Sequence, residues 1–406
     1  KMAPSSAVTV VAAVAITTAA LDNGLGQTPP LGFNPWNCFG VDSRGGCKLV
    51  NPHLPPPGCH PFNESTILSI AEALVRTGLR DAGYEFVNLD CGWTTGYRNL
   101  TTGRLIVNRE KFPHGIAWLA DQLHAMGLKF GIYASASKTQ CCSRKYGPSA
   151  NDGSYGHEKT DADTFASWGI DYLKYDDCEP FAESYKVMRD ALNATGRPIF
   201  YSVHGPVGAE AVGLANAWRT TSDIDNTWGS FVKRAVLNDQ YAAHAGPGGW
   251  NMPDMLEVGN FFDPSLGNAE SRTMMSLWAI AKAPLLIGTD ITLDRDPSDS
   301  TLDILGNAEV IRINQDPLGE QARLVHTSGA SQVWAGSLDG GHRVLAAVNG
   351  DNSTAVDVTV DLSALFGEAT FVARDVWKGE TWKEPVSGTV TLKVDPHDTL
   401  LLRLEP

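Results

Sequence analysis

Two segments of this chain close on carboxylates with a basic side chain a few residues upstream: Tyr172-Leu-Lys-Tyr-Asp-Asp-Cys178 and Trp218-Arg-Thr-Thr-Ser-Asp-Ile-Asp225. If the first is a strand, its side chains alternate, so Lys174 and Asp176 share one face and Asp177 points elsewhere. An ammonium beside Asp176 favours the ionised carboxylate, as a nucleophile requires. A lysine–aspartate pair that merely satisfies itself is the plainer alternative. Asp223 supplies the second carboxylate, and Arg219 is placed to orient a hydroxyl or a carboxylate. Asp225 reads as a helix N-terminal residue. Two carboxylates about 5 Å apart are the arrangement that cleaves glycosidic bonds with retention, one attacking and one shuttling a proton.

Such a pair needs a scaffold that gathers the ends of separate strands. Gly83, Gly127 and Gly169 each follow a helix-like stretch and lead an apolar run ending on polar residues: Tyr84–Asp90, Leu128–Tyr133 and Ile170–Asp177. Glycine suits the left-handed position just past a helix, so each reads as helix, stop, strand. Further strands are expected at Pro30–Trp36, Ile199–His204, Ala217–Asp223, Gly249–Asp254 and Pro284–Asp290. Helical spacing marks Thr66–Ala82, Ile116–Met126, Tyr185–Leu192 and Arg272–Lys282 between them. Eight strands alternating with helices predict an α/β fold, a (β/α)8 TIM barrel over 21–320, with its chemistry at the carboxyl ends of the strands. A doubly wound sheet is disfavoured because no glycine-rich phosphate loop follows the first strand. From 321 to 406 the texture becomes short strands parted by Gly, Asp and Asn turns, an antiparallel β-sandwich. No low-complexity linker separates the two, so rigid packing is expected.

The 406 residues carry 32 basic and 46 acidic side chains, a formal charge of −14. With no basic tract, this surface repels phosphate backbones, so nucleic-acid partners are excluded. Residues 1–20 include a small, apolar run from Ala7 to Ala20, too short for a membrane span, and read as a secretory signal cut near Ala20. Sequons at Asn63, Asn99, Asn193 and Asn352 agree with a secreted or secretory-lumen protein. Seven cysteines then suggest disulfides plus one leftover. Cys47 with Cys59 would staple a Pro-rich insertion, Cys141 or Cys142 would join Cys178, and Cys38 with Cys91 is a third candidate pair. A zinc site from Cys47, Cys59 and His60 fits no common spacing.

The chain also resembles glycoside hydrolase family 27, the α-galactosidase and α-N-acetylgalactosaminidase family. The matching segments are Asn23–Asn37, Leu173–Cys178, Trp218–Ile224, Pro253–Asn260, Trp278–Gly288 and Ile313–Gly319, in the family's order. The resemblance implies a barrel with a C-terminal antiparallel domain, Asp176 as nucleophile and Asp223 as acid/base. It implies that Trp36 stacks on the sugar and that Tyr133, Lys174, Arg219 and Asp90 contact hydroxyls. It departs from the family pattern at three places. Cys91 stands where the family has a second aspartate, Val203-His204-Gly205 where it has Cys-Glu-Trp, and Met252 where Trp-Asn-Asp-Pro-Asp would lead to Asp254. Cys91, His204 and Asp254 are therefore further candidates for substrate contact. The expected activity is retaining cleavage of terminal α-galactosyl residues, without metal or organic cofactor, on a galactose-containing or galactose-like saccharide. β-L-arabinopyranosidase, α-N-acetylgalactosaminidase and isomaltodextranase are the alternatives within the family. A non-catalytic sugar-binding protein is the alternative outside it.

Overall fold

A computed structural model describes residues 21, 23–39, 61–260, 266–293 and 296–406. The proposed signal segment, the Pro-rich insertion, the Cys47–Cys59 pair and the Cys47/Cys59/His60 zinc candidate lie outside these residues.

Eight parallel strands follow one another around a closed sheet: β1 (Leu31–Phe33), β2 (Tyr84–Asn88), β3 (Lys129–Ser135), β4 (Tyr172–Asp176), β5 (Phe200–Val203), β6 (Ala217–Arg219), β7 (Trp250–Met252) and β8 (Leu285–Ile287). Each pairs with the next from β1 to β7, and β8 pairs with β1. The last seam closes through a parallel bridge between Leu256, just beyond β7, and Ile287 of β8. All eight expected strands are present; seven are shorter than their expected runs, and Lys129–Ser135 extends two residues beyond its run. Gly83, Gly127 and Gly169 have φ of 114°, 74° and 77°, the left-handed geometry expected of a helix stop.

Inside the barrel, alternate residues stack in layers. Phe86, Tyr172, Phe200, Ala217 and Trp250 plug the lower end as one apolar cluster, with the Tyr172 and Phe200 rings stacked at 5.0 Å. Two residues further along the same strands come Lys174, Arg219 and Met252, and Asp176 follows at the rim. The period of two thus carries each interior face from an aromatic floor to a charged mouth. Outward-facing residues meet the helices: Tyr175 shares a hydrogen bond with Ser184, which donates to Glu158.

A short hairpin, Thr94–Arg98 with Leu105–Val107, leaves the barrel after β2. Arg98 anchors it through a fully buried, two-pronged ion pair with Asp161, both N···O distances 2.6 Å. The four expected helices are found as Glu64–Arg76, Ile116–Ala125, Ala182–Ala194 and Asn268–Ile280.

The C-terminal region forms a six-stranded antiparallel sheet and a separate two-stranded one, Val356–Asp361 with Thr389–Val394. Strands Arg323–Ser328 and Glu380–Thr381 join the six-stranded sheet without having been expected. The first is mostly exposed and lacks the apolar alternation that marks its neighbours. Alternation in Arg343–Asn349 explains the layering: Val344, Ala346 and Val348 belong to the barrel's own core cluster, while Leu345 and Ala347 pack toward the two-stranded sheet. The larger sheet is therefore the middle layer. Polar links add to this continuous core. Arg374 makes a two-pronged pair with Glu309, Arg272 pairs with Asp398 at 2.5 Å, and His397 stacks on Trp228 at 4.0 Å.

Candidate active site

Asp176 ends β4 and stands at the barrel mouth, with its oxygens engaged from three sides. Its Oδ2 accepts from the Tyr133 hydroxyl at 2.6 Å. Its Oδ1 accepts from the Asp177 amide at 3.0 Å and lies 3.0 Å from His204 Nδ1. Burial alone would raise its pKa; the His204 hydrogen bond, the charges of Lys174 and His204 and the Tyr133 hydrogen bond outweigh it and hold Asp176 well below the usual carboxylate range. Tyr133 moves the opposite way: burial, then the negative charges of Asp176 and Asp90, keep it a protonated donor.

Lys174 does not pair directly with Asp176. Its Nζ lies 2.6 Å from Asp90 Oδ2, which also accepts from Asn34 at 3.0 Å. The reason is the strand period: Lys174 sits one layer deeper than Asp176, level with Tyr133 and with Asp90 two residues past β2. Its charge still reaches Asp176 through the dry interior. Asp177 also departs from the alternation argument. The strand ends at Asp176, so the next side chain is free to turn back, and Asp177 Oδ1 lies 3.2 Å from His204 Nδ1.

Asp223 stands beyond β6 on a loop held from several directions. Arg234, on the helix Trp228–Asp239, donates to its carbonyl. Asp254 accepts from the next amide, that of Ile224, at 2.8 Å. The Asp223 side chain is 64% exposed and lies 3.2 Å from Arg219. Partial burial pushes its pKa up, but Arg219 and then Lys174 outweigh that and hold it below the ordinary value. Arg219 is buried and also pairs with Asp254 at 2.9 Å; among the described residues its Nε has no hydrogen-bond partner. Asp254 keeps this arrangement in place with φ of 117°, a conformation that a side chain rarely adopts. Asp225 lies two residues before the helix cap Thr227, whose hydroxyl it accepts.

The electrostatics place Asp176 and Asp223 at one mouth. The charge of Asp176 bears on Arg219, and Lys174 and His204 bear on both carboxylates. Lys174, His204, Arg219, Met252 and Asp254 line a common cavity with Asn34. Trp36 packs against Met252, Met255 and Leu286 beside it and stays partly exposed.

Cys91 requires correction. It is bonded to Cys142 and 1% exposed, so it offers the cavity no polar group and does not pair with Cys38. Cys38 is buried and unbonded, and Cys141 is the partner of Cys178. Adjacent cysteines thus tie the loops after β2 and β4 to the loop after β3. The second bridge lies against the site: Cys141 Sγ is 3.6 Å from Asp176 Oδ2, and Cys178 Sγ is 3.2 Å from the Tyr133 hydroxyl. Sequence reasoning missed Asn34 as a partner of Asp90, although it lies within a matched segment. It also missed the link between Asp177 and His204, which no spacing along the chain announces.

The family described as alpha galactosidase A matches residues 28–316, and that family's C-terminal β-sandwich domain matches residues 328–404. This chain belongs to the alpha galactosidase A family. An α-galactosidase of Coffea arabica is 44% identical over 95% of this chain and 96% of its own. The crystal structure of α-galactosidase I from Mortierella vinacea superimposes with a TM-score of 0.80 at 30% identity, covering 94% of this chain and 98% of that one. A β-L-arabinopyranosidase of Geobacillus stearothermophilus, in complex with arabinose, gives 0.79 at 25% identity, covering 96% and 100%.

Proposed function

We propose that the protein is a retaining α-galactosidase in which Asp176 is the nucleophile and Asp223 the acid/base. In the first step a carboxylate oxygen of Asp176 bonds to the anomeric carbon as the bond to the leaving oxygen breaks, and Asp223 gives that oxygen its proton. Water then attacks the anomeric carbon, its proton passes to Asp223, and the ester to Asp176 is released. The observation that carries this reading is the contrast between the carboxylates. One is enclosed and held ionised by three hydrogen bonds; the other is exposed on a loop where a leaving group departs.

In the free protein Asp223 is an anion. A sugar covering it removes water, and the neighbouring negative Asp176 then favours its protonated form. Once Asp176 is esterified that negative neighbour is gone, and Asp223 reverts to a base. Trp36 offers a partly exposed ring for the sugar's apolar face. Cys91 leaves the pocket one acceptor short of the family pattern. That favours, as the second reading, a glycone lacking the 6-hydroxymethyl group, such as β-L-arabinopyranose.

A panel of nitrophenyl α-galactoside, β-L-arabinopyranoside, α-N-acetylgalactosaminide and α-glucoside separates these. The α-galactoside is expected to have the highest kcat/KM, and proton NMR of the first-formed sugar to show the α anomer. A first-formed β anomer rules out double displacement. Export is part of the proposal: Asn99, Asn193 and Asn352 are exposed, while Asn63 caps a helix with its side chain. Among the described residues no helix is long and apolar enough to cross a membrane. Glycopeptide mapping of protein from a secreting host checks the three exposed sites.

A further inference from the structure

We infer that His204, braced by Asp177, is a positioning residue for Asp176. The inference rests on Asp176 being the nucleophile.

One ring nitrogen faces two carboxylates. His204 Nδ1 lies 3.0 Å from Asp176 Oδ1 and 3.2 Å from Asp177 Oδ1. Ionised carboxylates only accept, so Nδ1 must carry the hydrogen. The ring is held by its main chain as well. The Tyr185 hydroxyl donates to the His204 carbonyl at 2.6 Å. Gly205, at φ 128°, lets that hydroxyl approach so closely that a Cβ there would lie 2.4 Å from it. The imidazole therefore grips one oxygen of Asp176 while Tyr133 grips the other, fixing the carboxylate plane.

Asp176 and Asp177 face the ring from the end of β4, Asp223 lies within electrostatic reach from the loop after β6, and Lys174, Arg219 and Asp254 line the same cavity. One oxygen of Asp176 must point at the anomeric carbon as its bond forms, so releasing the carboxylate plane misplaces the reacting atom and slows the first step.

The test compares native protein with H204A, H204N and D177N. Asparagine places an amide N–H near the position of Nδ1 but does not titrate. H204A is expected to lose on the order of a hundredfold in kcat with KM little changed, as for a misplaced reacting group. H204N should recover most of that loss, and D177N should lower kcat by roughly tenfold. An H204A variant within about threefold of native kcat, or an H204N variant no better than H204A, overturns the inference. Labelling with a 5-fluoro galactosyl fluoride keeps the two readings apart. Label on Asp176 that forms slowly in H204A supports the role given to His204. Label on Asp176 at the native rate in H204A sinks that role alone, and label on another residue sinks the nucleophile assignment itself.

Discussion

The Tyr133 hydroxyl is a donor that burial prevents from ionising, aimed at an anion held just as firmly. Hydrogen bonds to charged groups contribute about 1.5–3 kcal/mol, so Tyr133→Phe is expected to lower kcat roughly tenfold to a hundredfold, with a much smaller change in KM. Steady-state kinetics on nitrophenyl α-galactoside decides this, and an unchanged kcat shows that Tyr133 only packs. Asp176→Asn should abolish turnover while leaving the circular dichroism spectrum unchanged. Asp176 also links folding to pH. Its folded pKa lies below the unfolded value of about 3.9, so its contribution is complete above that pH and is lost as pH falls below it. Urea titrations from about pH 5 down to pH 2 should therefore show a shallower fall in stability for Asp176→Asn than for the native protein. Parallel curves would mean that the carboxylate gains nothing from its partners on folding.

Loops, rather than strands, distinguish the upper rim of this barrel. Three of them meet at the adjacent cysteines 141 and 142, and the Cys141–Cys178 bridge closes 37 residues of sequence separation against Asp176 itself. Removing it as C141S/C178S should cost about 2–4 kcal/mol and lower kcat, since two loops that frame Asp176 are released together. Denaturant midpoints and kinetics on the same preparations check both halves. The hairpin after β2 depends on Arg98 in a different way. Arg98→Met leaves Asp161 ionisable and unpaired in a dry site, an event that costs about 3–5 kcal/mol. A loss under 1 kcal/mol would show that water reaches Asp161.

Across the whole molecule, one apolar core runs from the barrel into the middle sheet of the C-terminal region. At the start of the helix Trp228–Asp239, which follows the Asp223 loop, Trp228 stacks on His397 from that region, which pairs with Glu270 at 2.6 Å. The second domain thus buttresses the loop that carries Asp223, the proposed acid/base. Urea unfolding is expected to follow a single transition, coincident by tryptophan fluorescence and far-ultraviolet circular dichroism. Separated transitions would show that the domains do not depend on one another.

The local pattern along the chain was enough for the barrel's strands and their order, because helix stops, apolar runs and the period of two are short-range properties. It also singled out Asp176, at a strand end, and Asp223, on the loop four residues past one. Strands such as Arg323–Ser328 escaped because an exposed edge has no apolar alternation to show. Tertiary structure alone decided that Lys174 pairs with Asp90, that Cys91 belongs to Cys142, and that His204 stands 3.0 Å from Asp176. Each of those choices depends on which side chains stand at equal height around a closed sheet, and barrel closure joins residues that are scores of positions apart in the chain.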